Sequence, residues 1–114
     1  MVYCADHPST ALLEILVHLK PERMPATYQL IEVAVNDGIS IAAPDLPDGW
    51  QDKVTLTRAI GTDNLRRNMA ALLRVPSVIM PKAFNYLINP NHPDAAHIRI
   101  AQTWRYPFDS RLLS

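Results

Sequence analysis

The sequence predicts an α+β domain: a mixed, mostly antiparallel sheet carrying short helices. Three observations predict it. Segments of strand and helix character follow one another in the order β-α-β-β-α-β-β, with hairpins between the helices rather than regular βαβ crossovers. Ten prolines and three glycines in 114 residues divide the chain into short elements joined by fixed turns. Neither a GxGxxG nor a GxxxxGK[ST] element is present, which argues against a doubly wound nucleotide fold.

Val2 to Cys4 reads as the end of a strand, and Asp6-His7-Pro8-Ser9 as a turn. STALLEILVHLK, residues 9 to 20, reads as one helix with Ser9 as N-cap and Thr10 as the alternative. Pro21 stops it. Tyr28 to Val35 is rich in β-formers and is expected to be a strand. Asn36-Asp37-Gly38 is a strong turn signal, so Ile39 to Ala42 is expected to pair back on that strand as a hairpin. Residues 43 to 50, APDLPDGW, are loop. Lys53 to Met69 carries weak helical spacing through Leu56, Ile60 and Leu65, interrupted by Gly61, with Asp63 as the cap of a second short helix. Ala70 to Val75 and Val78 to Met80 are apolar and flank Pro76-Ser77, which predicts a buried strand broken at proline. NYLINPNHP, residues 85 to 93, is dense in turn residues. Ile98 to Tyr106 alternates well and is expected to be the final long strand.

The bulk composition sets limits on function. At 48% hydrophobic and 19% charged, the chain suits one globular domain, residues 1–114, and not disorder. Eleven acids balance eleven bases, so no basic surplus points to nucleic acid. No apolar run is long enough for a membrane span, and the start does not read as a signal peptide. Cys4 is the single cysteine, which excludes an internal disulfide and is compatible with a reducing cytoplasm.

The residues that invite chemistry are few. On the first helix a broad apolar arc leaves one stripe for Glu14 and His18, four residues apart. That stripe faces either water or a cleft. The same spacing suits two metal ligands, but His7, His92 and His97 supply no convincing third, so no metal is expected. Ser77 lies in a loop between two apolar segments, and nothing around it resembles a nucleophile elbow. Tyr3 ends an edge segment, where packing with its hydroxyl at the surface is the simple reading.

The succession VYCADHPSTALLEILVHL, LPDGW, LLRVPSVIMPKAFNYLINPNHP, IRI and FDSRLL resembles the RES domain family over essentially the whole chain, in order and spacing. These are toxins of bacterial toxin–antitoxin pairs whose partner is an Xre-type helix-turn-helix antitoxin. The resemblance implies a fold similar to that of ADP-ribosyltransferases and a cytoplasmic enzyme acting on NAD. The reaction it implies is phosphorolysis or hydrolysis of the nicotinamide–ribose bond, with inorganic phosphate as a possible co-substrate. Transfer of ADP-ribose to a protein is the alternative. A hetero-oligomer is implied, in which the antitoxin tail blocks the pocket. By position Glu14 in ALLE matches the family's glutamate, Ser77 in RVPS its serine, and Tyr3 in VYCA a tyrosine of the NAD pocket. Asn85 lies within a matching motif, with no role assigned to it. Family members carry some tens of residues before the VY segment, including the naming arginine, whereas here Met1 directly precedes Val2. An N-terminally incomplete domain is the corresponding expectation. It leaves a third reading, an inactive shortened chain that acts by binding its antitoxin.

Overall fold

The computed structural model describes residues 2–113. Six strands and two α-helices occur among them, and the fold is α+β as the sequence predicts. Strands β1 (Val2–Ala5), β5 (Phe84–Ile88), β4 (Leu72–Pro76) and β3 (Ile41–Ala42) form a four-stranded sheet in that spatial order. The β1–β5 and β5–β4 pairs are antiparallel, and β3 runs parallel to β4. Strands β2 (Thr27–Val35) and β6 (Ile98–Pro107) form a separate antiparallel ribbon.

Register assigns the faces of the main sheet. Tyr3 stands opposite Leu87, and Leu87 opposite Leu73, while Ala5 and Val75 flank Asn85 on either side. Directly opposed residues point to the same face. One face therefore holds Tyr3, Ala5, Leu73, Val75, Asn85 and Leu87. The other holds Val2, Cys4, Leu72, Arg74, Tyr86 and Ile88. On this second face Leu72 joins Ile39 and Ala71 in a buried cluster, against which Tyr86, Ile88 and Ile98 pack. Ile98 thus brings the ribbon to the sheet. On the first face, Asn64 and Leu65 of helix α2 (Val54–Arg66) share the lining of a small cavity with Leu73 and Leu87.

Several elements differ from the sequence-based expectation. The Asn36-Asp37-Gly38 turn forms, with the Ile39 amide donating to the Asn36 carbonyl at 3.1 Å. It does not close a hairpin, because Ile39 turns into the core and β3 joins β4. The partner of β2 is β6. Their register continues from Thr27↔Pro107 to Val35↔Ile98, with one bulge at which Ala101 has no counterpart. It places Tyr28 beside Tyr106 and Phe108, with ring centroids at 6.0 and 4.8 Å. This aromatic pairing is stronger cause for the ribbon than a short local turn.

Helix α1 (Pro8–Leu16) is shorter than the apolar pattern implies. Its backbone tightens past Leu16, where the His18 and Leu19 amides reach back three residues, to Ile15 and Leu16. His18 therefore lies beyond the helix and is exposed, so it does not continue a Glu14 stripe. The N-cap is His7, whose Nδ1 accepts from the Ser9 amide, in place of Ser9 or Thr10. Helix α2 runs through Gly61 to Arg66, and Asp63 lies inside it, paired with Arg67 at 3.1 Å, instead of capping it. Val78 to Met80 is a bend in the loop, not strand. The turn-rich segment at Asn85 is β5, a strand paired on both sides.

Candidate active site

Three polar side chains meet where α1 crosses the first face of the sheet. Glu14 arrives from α1, which His7 and Pro8 start in a fixed direction. Ser77 follows the end of β4, and Asn85 is the second residue of β5. The Ser77 hydroxyl donates to Glu14 Oε1 at 2.8 Å, and Asn85 Nδ2 donates to the same oxygen at 3.0 Å. Glu14 Oε2 makes no hydrogen bond among the described residues. Glu14 is half-buried, whereas Ser77 and Asn85 are only 7% and 8% exposed.

The loop geometry explains why serine suits position 77. Its backbone amide donates to the Ala83 carbonyl at 2.9 Å, closing the loop that joins β4 to β5. Its Oγ accepts the amides of Ile79 and Met80 at 3.2 and 3.1 Å. Lys82, at φ 70°, supplies the left-handed residue that lets the loop close. One donated and two accepted bonds use the whole capacity of a hydroxyl. Ser77 is thus engaged with protein on every side, and contact with a bound sugar requires one of these bonds to be exchanged.

Sequence reasoning assigns Asn85 no role, because asparagine in a proline-rich segment reads as a turn former. The signal available was its place in the matched NYLINPNHP motif. Its environment is fixed from both sides by Ala5 and Val75. Asp6 extends that frame, its amide donating to the Phe84 carbonyl and its carboxylate accepting the Phe84 amide. The Asn85 Oδ1 atom is buried and has no hydrogen-bond partner among the described residues.

Tyr3 is 70% exposed and makes no side-chain hydrogen bond to this trio among the described residues. Register nonetheless places it on the same face, diagonal to Asn85, where long side chains come within reach of one another. Cys4 faces the opposite side, and its partial burial pushes the thiol pKa up, so it is no part of this cluster. Arg74 also faces the opposite side, with its guanidinium 4.8 Å above the Phe84 ring. No group of three or more His, Cys, Asp or Glu side chains suited to a metal occurs among the described residues. None of the helices among them is long and apolar enough to cross a membrane.

A carboxylate held by two donors, with one oxygen left open, is equipped to interact with a cationic or electron-poor carbon. Known proteins carry the same segments. The RES domain model matches residues 1–109. A protein named Toxin Res from Pseudomonas putida is 44% identical over 115 residues, covering 98% of this chain and 79% of its own length. The Prs ADP-ribosylating toxin of a Sphingobium species is 35% identical, over 99% of this chain and 74% of its own. Toxin Res of Yersinia enterocolitica is 31% identical, over 97% and 76% respectively. With its length matched almost throughout by the family model and by these relatives, the chain belongs to the RES domain family.

Proposed function

We propose that this chain is a toxin that degrades NAD at the nicotinamide–ribose bond, with Glu14 as the catalytic carboxylate. The supporting observation is the orientation of Glu14, whose Oε1 takes both donors while Oε2 stays open. As the bond breaks, its electron pair moves to the ring nitrogen, and nicotinamide leaves neutral. The anomeric carbon becomes electron-poor, and a fixed carboxylate beside it lowers the barrier, as in glycosidases. An oxygen of phosphate or water then forms the new bond to that carbon. Phosphate yields the 1-phosphate of ADP-ribose, and water yields ADP-ribose with release of a proton. Ser77 holds the carboxylate from the loop, and Tyr3 offers an exposed ring for stacking or a hydroxyl for the ribose.

The partner implied is an Xre-type antitoxin in the bacterial cytoplasm, forming a hetero-oligomer whose tail covers the pocket. The reaction as written uses no metal. A second reading, transfer of ADP-ribose to a protein, is favoured by the name of the Sphingobium relative, an ADP-ribosylating toxin. Both share the first bond cleavage and differ in the acceptor.

The test is NAD consumption by the parent chain and by Glu14→Gln, which keeps the shape and removes the charge. Loss of one open carboxylate at the developing charge is expected to lower kcat on the order of a hundredfold or more. An unchanged rate removes the proposal. NAD labelled in the adenosine half separates the readings: free labelled ADP-ribose or its phosphate means cleavage, and a labelled protein band means transfer. A parent chain that binds antitoxin tightly yet consumes no NAD supports the third, inactive reading.

A further inference from the structure

We propose that Asn85 is the positioning residue that decides which oxygen of Glu14 faces the ribose, an inference that rests on Glu14 being the reacting carboxylate. The terminal torsion of glutamate is soft and roughly two-fold, so a lone glutamate presents either oxygen. Here both donors converge on Oε1 and leave Oε2 open. The two donors are mounted differently. Ser77 rides on a loop whose hydroxyl orientation follows the amides of Ile79 and Met80. Asn85 stands in a strand paired on both sides, and its side chain is buried. Its direction therefore persists when the loop shifts.

The orientation of the Asn85 amide is settled by chemistry. An ionised carboxylate only accepts hydrogen bonds, so Nδ2 turns to Glu14 and Oδ1 points away. Oδ1 is then buried without a partner among the described residues. An unsatisfied buried acceptor opposes folding. Such a group is retained where it serves something other than stability. The donor on Glu14 is that service: an apolar side chain at position 85 would remove the orphan oxygen and lose the orientation together.

The experiment uses Asn85→Asp and Asn85→Ala in the full chain, with NAD as the probe. Asn85→Asp is isosteric and puts a second carboxyl where an amide now lies 3.0 Å from Glu14. Two carboxylates that close share a proton, and the protonated one donates as the amide does. The other titratable or charged groups on neighbouring elements are Tyr3, Cys4 and Asp6 on or beside β1, His7 and His18 at the two ends of α1, Lys82 in the loop, and Arg74 and Tyr86 on the opposite face of β4 and β5; none is hydrogen-bonded to Glu14 among the described residues.

Near neutral pH, Asn85→Asp is expected to lower kcat on the order of tenfold to a hundredfold with little change in KM. Its activity is expected to recover toward acid pH, a shift that a purely structural role would not produce. Asn85→Ala is expected to lose kcat at every pH without acid recovery, and it carries the test if Asn85→Asp does not fold. A parent-like kcat and pH profile in either variant overturns the proposal. So does a rise in KM alone, which would make Asn85 a substrate contact.

If the parent chain consumes no NAD, the reading of Glu14 fails separately. The contact between positions 85 and 14 is then read by 13C NMR of the Glu14 carboxyl carbon. Splitting of its titration into two steps in Asn85→Asp supports the contact, and an unchanged titration overturns it.

Discussion

Ser77 and Glu14, 63 residues apart in sequence, are joined by a hydrogen bond of 2.8 Å from hydroxyl to carboxylate. The same hydroxyl accepts two loop amides, so it couples the shape of the β4–β5 loop to the direction of the acid. Ser77→Ala breaks all three bonds at a buried position. Orphaning buried partners costs about 1–3 kcal/mol. A fall of that size in unfolding free energy is expected, together with a drop in kcat on the order of tenfold or more. Urea unfolding and NAD turnover measured on the same preparation check both. A variant of parent stability and parent kcat would show that the hydroxyl bonds are incidental.

Tyr3 offers a separable test of the pocket wall. Because the side chain is mostly exposed, Tyr3→Ala is expected to change stability by no more than about 0.5 kcal/mol. If its ring stacks on NAD, Tyr3→Ala raises KM while Tyr3→Phe leaves it near the parent value. Equal KM for all three proteins would remove Tyr3 from the binding site.

Asp94 gives a dependence on pH away from the site. Its carboxylate accepts the hydroxyl and the amide of Ser40 at 2.9 and 3.2 Å, and this holds its pKa below the ordinary 3.8, with smaller contributions from His92 and His97. A carboxyl whose folded pKa is depressed stabilises the fold above the unfolded value. That contribution fades as pH falls through the folded one. Asp94→Asn is therefore expected to be less stable than the parent at neutral pH, with the gap narrowing as the pH drops below about 3.8. Thermal melts across that range check it. A gap independent of pH would mean that the charge contributes nothing.

Gly61 lies inside α2 at a negative φ, and a Cβ built there meets nothing within 4 Å. Glycine in a helix interior costs about 0.5–1 kcal/mol relative to alanine. Gly61→Ala is expected to raise unfolding free energy by about that much, leaving NAD turnover unchanged. A lower melting temperature would indicate that the helix needs glycine for a reason its surroundings do not show.

The sequence discloses the elements better than their partners. The strands at Tyr28–Val35 and Ile98–Tyr106 follow from β-branched and aromatic content, yet alternation says nothing of which strand meets which. The hairpin expected after Asn36-Asp37-Gly38 fails because the side chain of Ile39 enters the core. Asn85 misled the reading of β5 for a related reason. Its amide nitrogen donates across the fold to Glu14, and a long-range bond of this kind leaves no local signature, whereas Asn89, just past β5, does turn the chain, its Oδ1 accepting the Asn91 amide at 3.1 Å. Glu14 and Ser77 stood out through motif resemblance, and the fold brings them together. The helical spacing of Glu14 and His18 suggested a shared stripe that the early end of α1 removes.

The ribbon of β2 and β6 is hydrogen-bonded separately from the four-stranded sheet that carries Asn85 and leads into Ser77. Amide protons in the two should thus exchange with deuterium as separate cooperative units, with the ribbon, two-stranded among the described residues, opening at lower free energy. Fraying there would leave the acid and its two donors assembled, so insertions along that ribbon can accumulate without loss of chemistry.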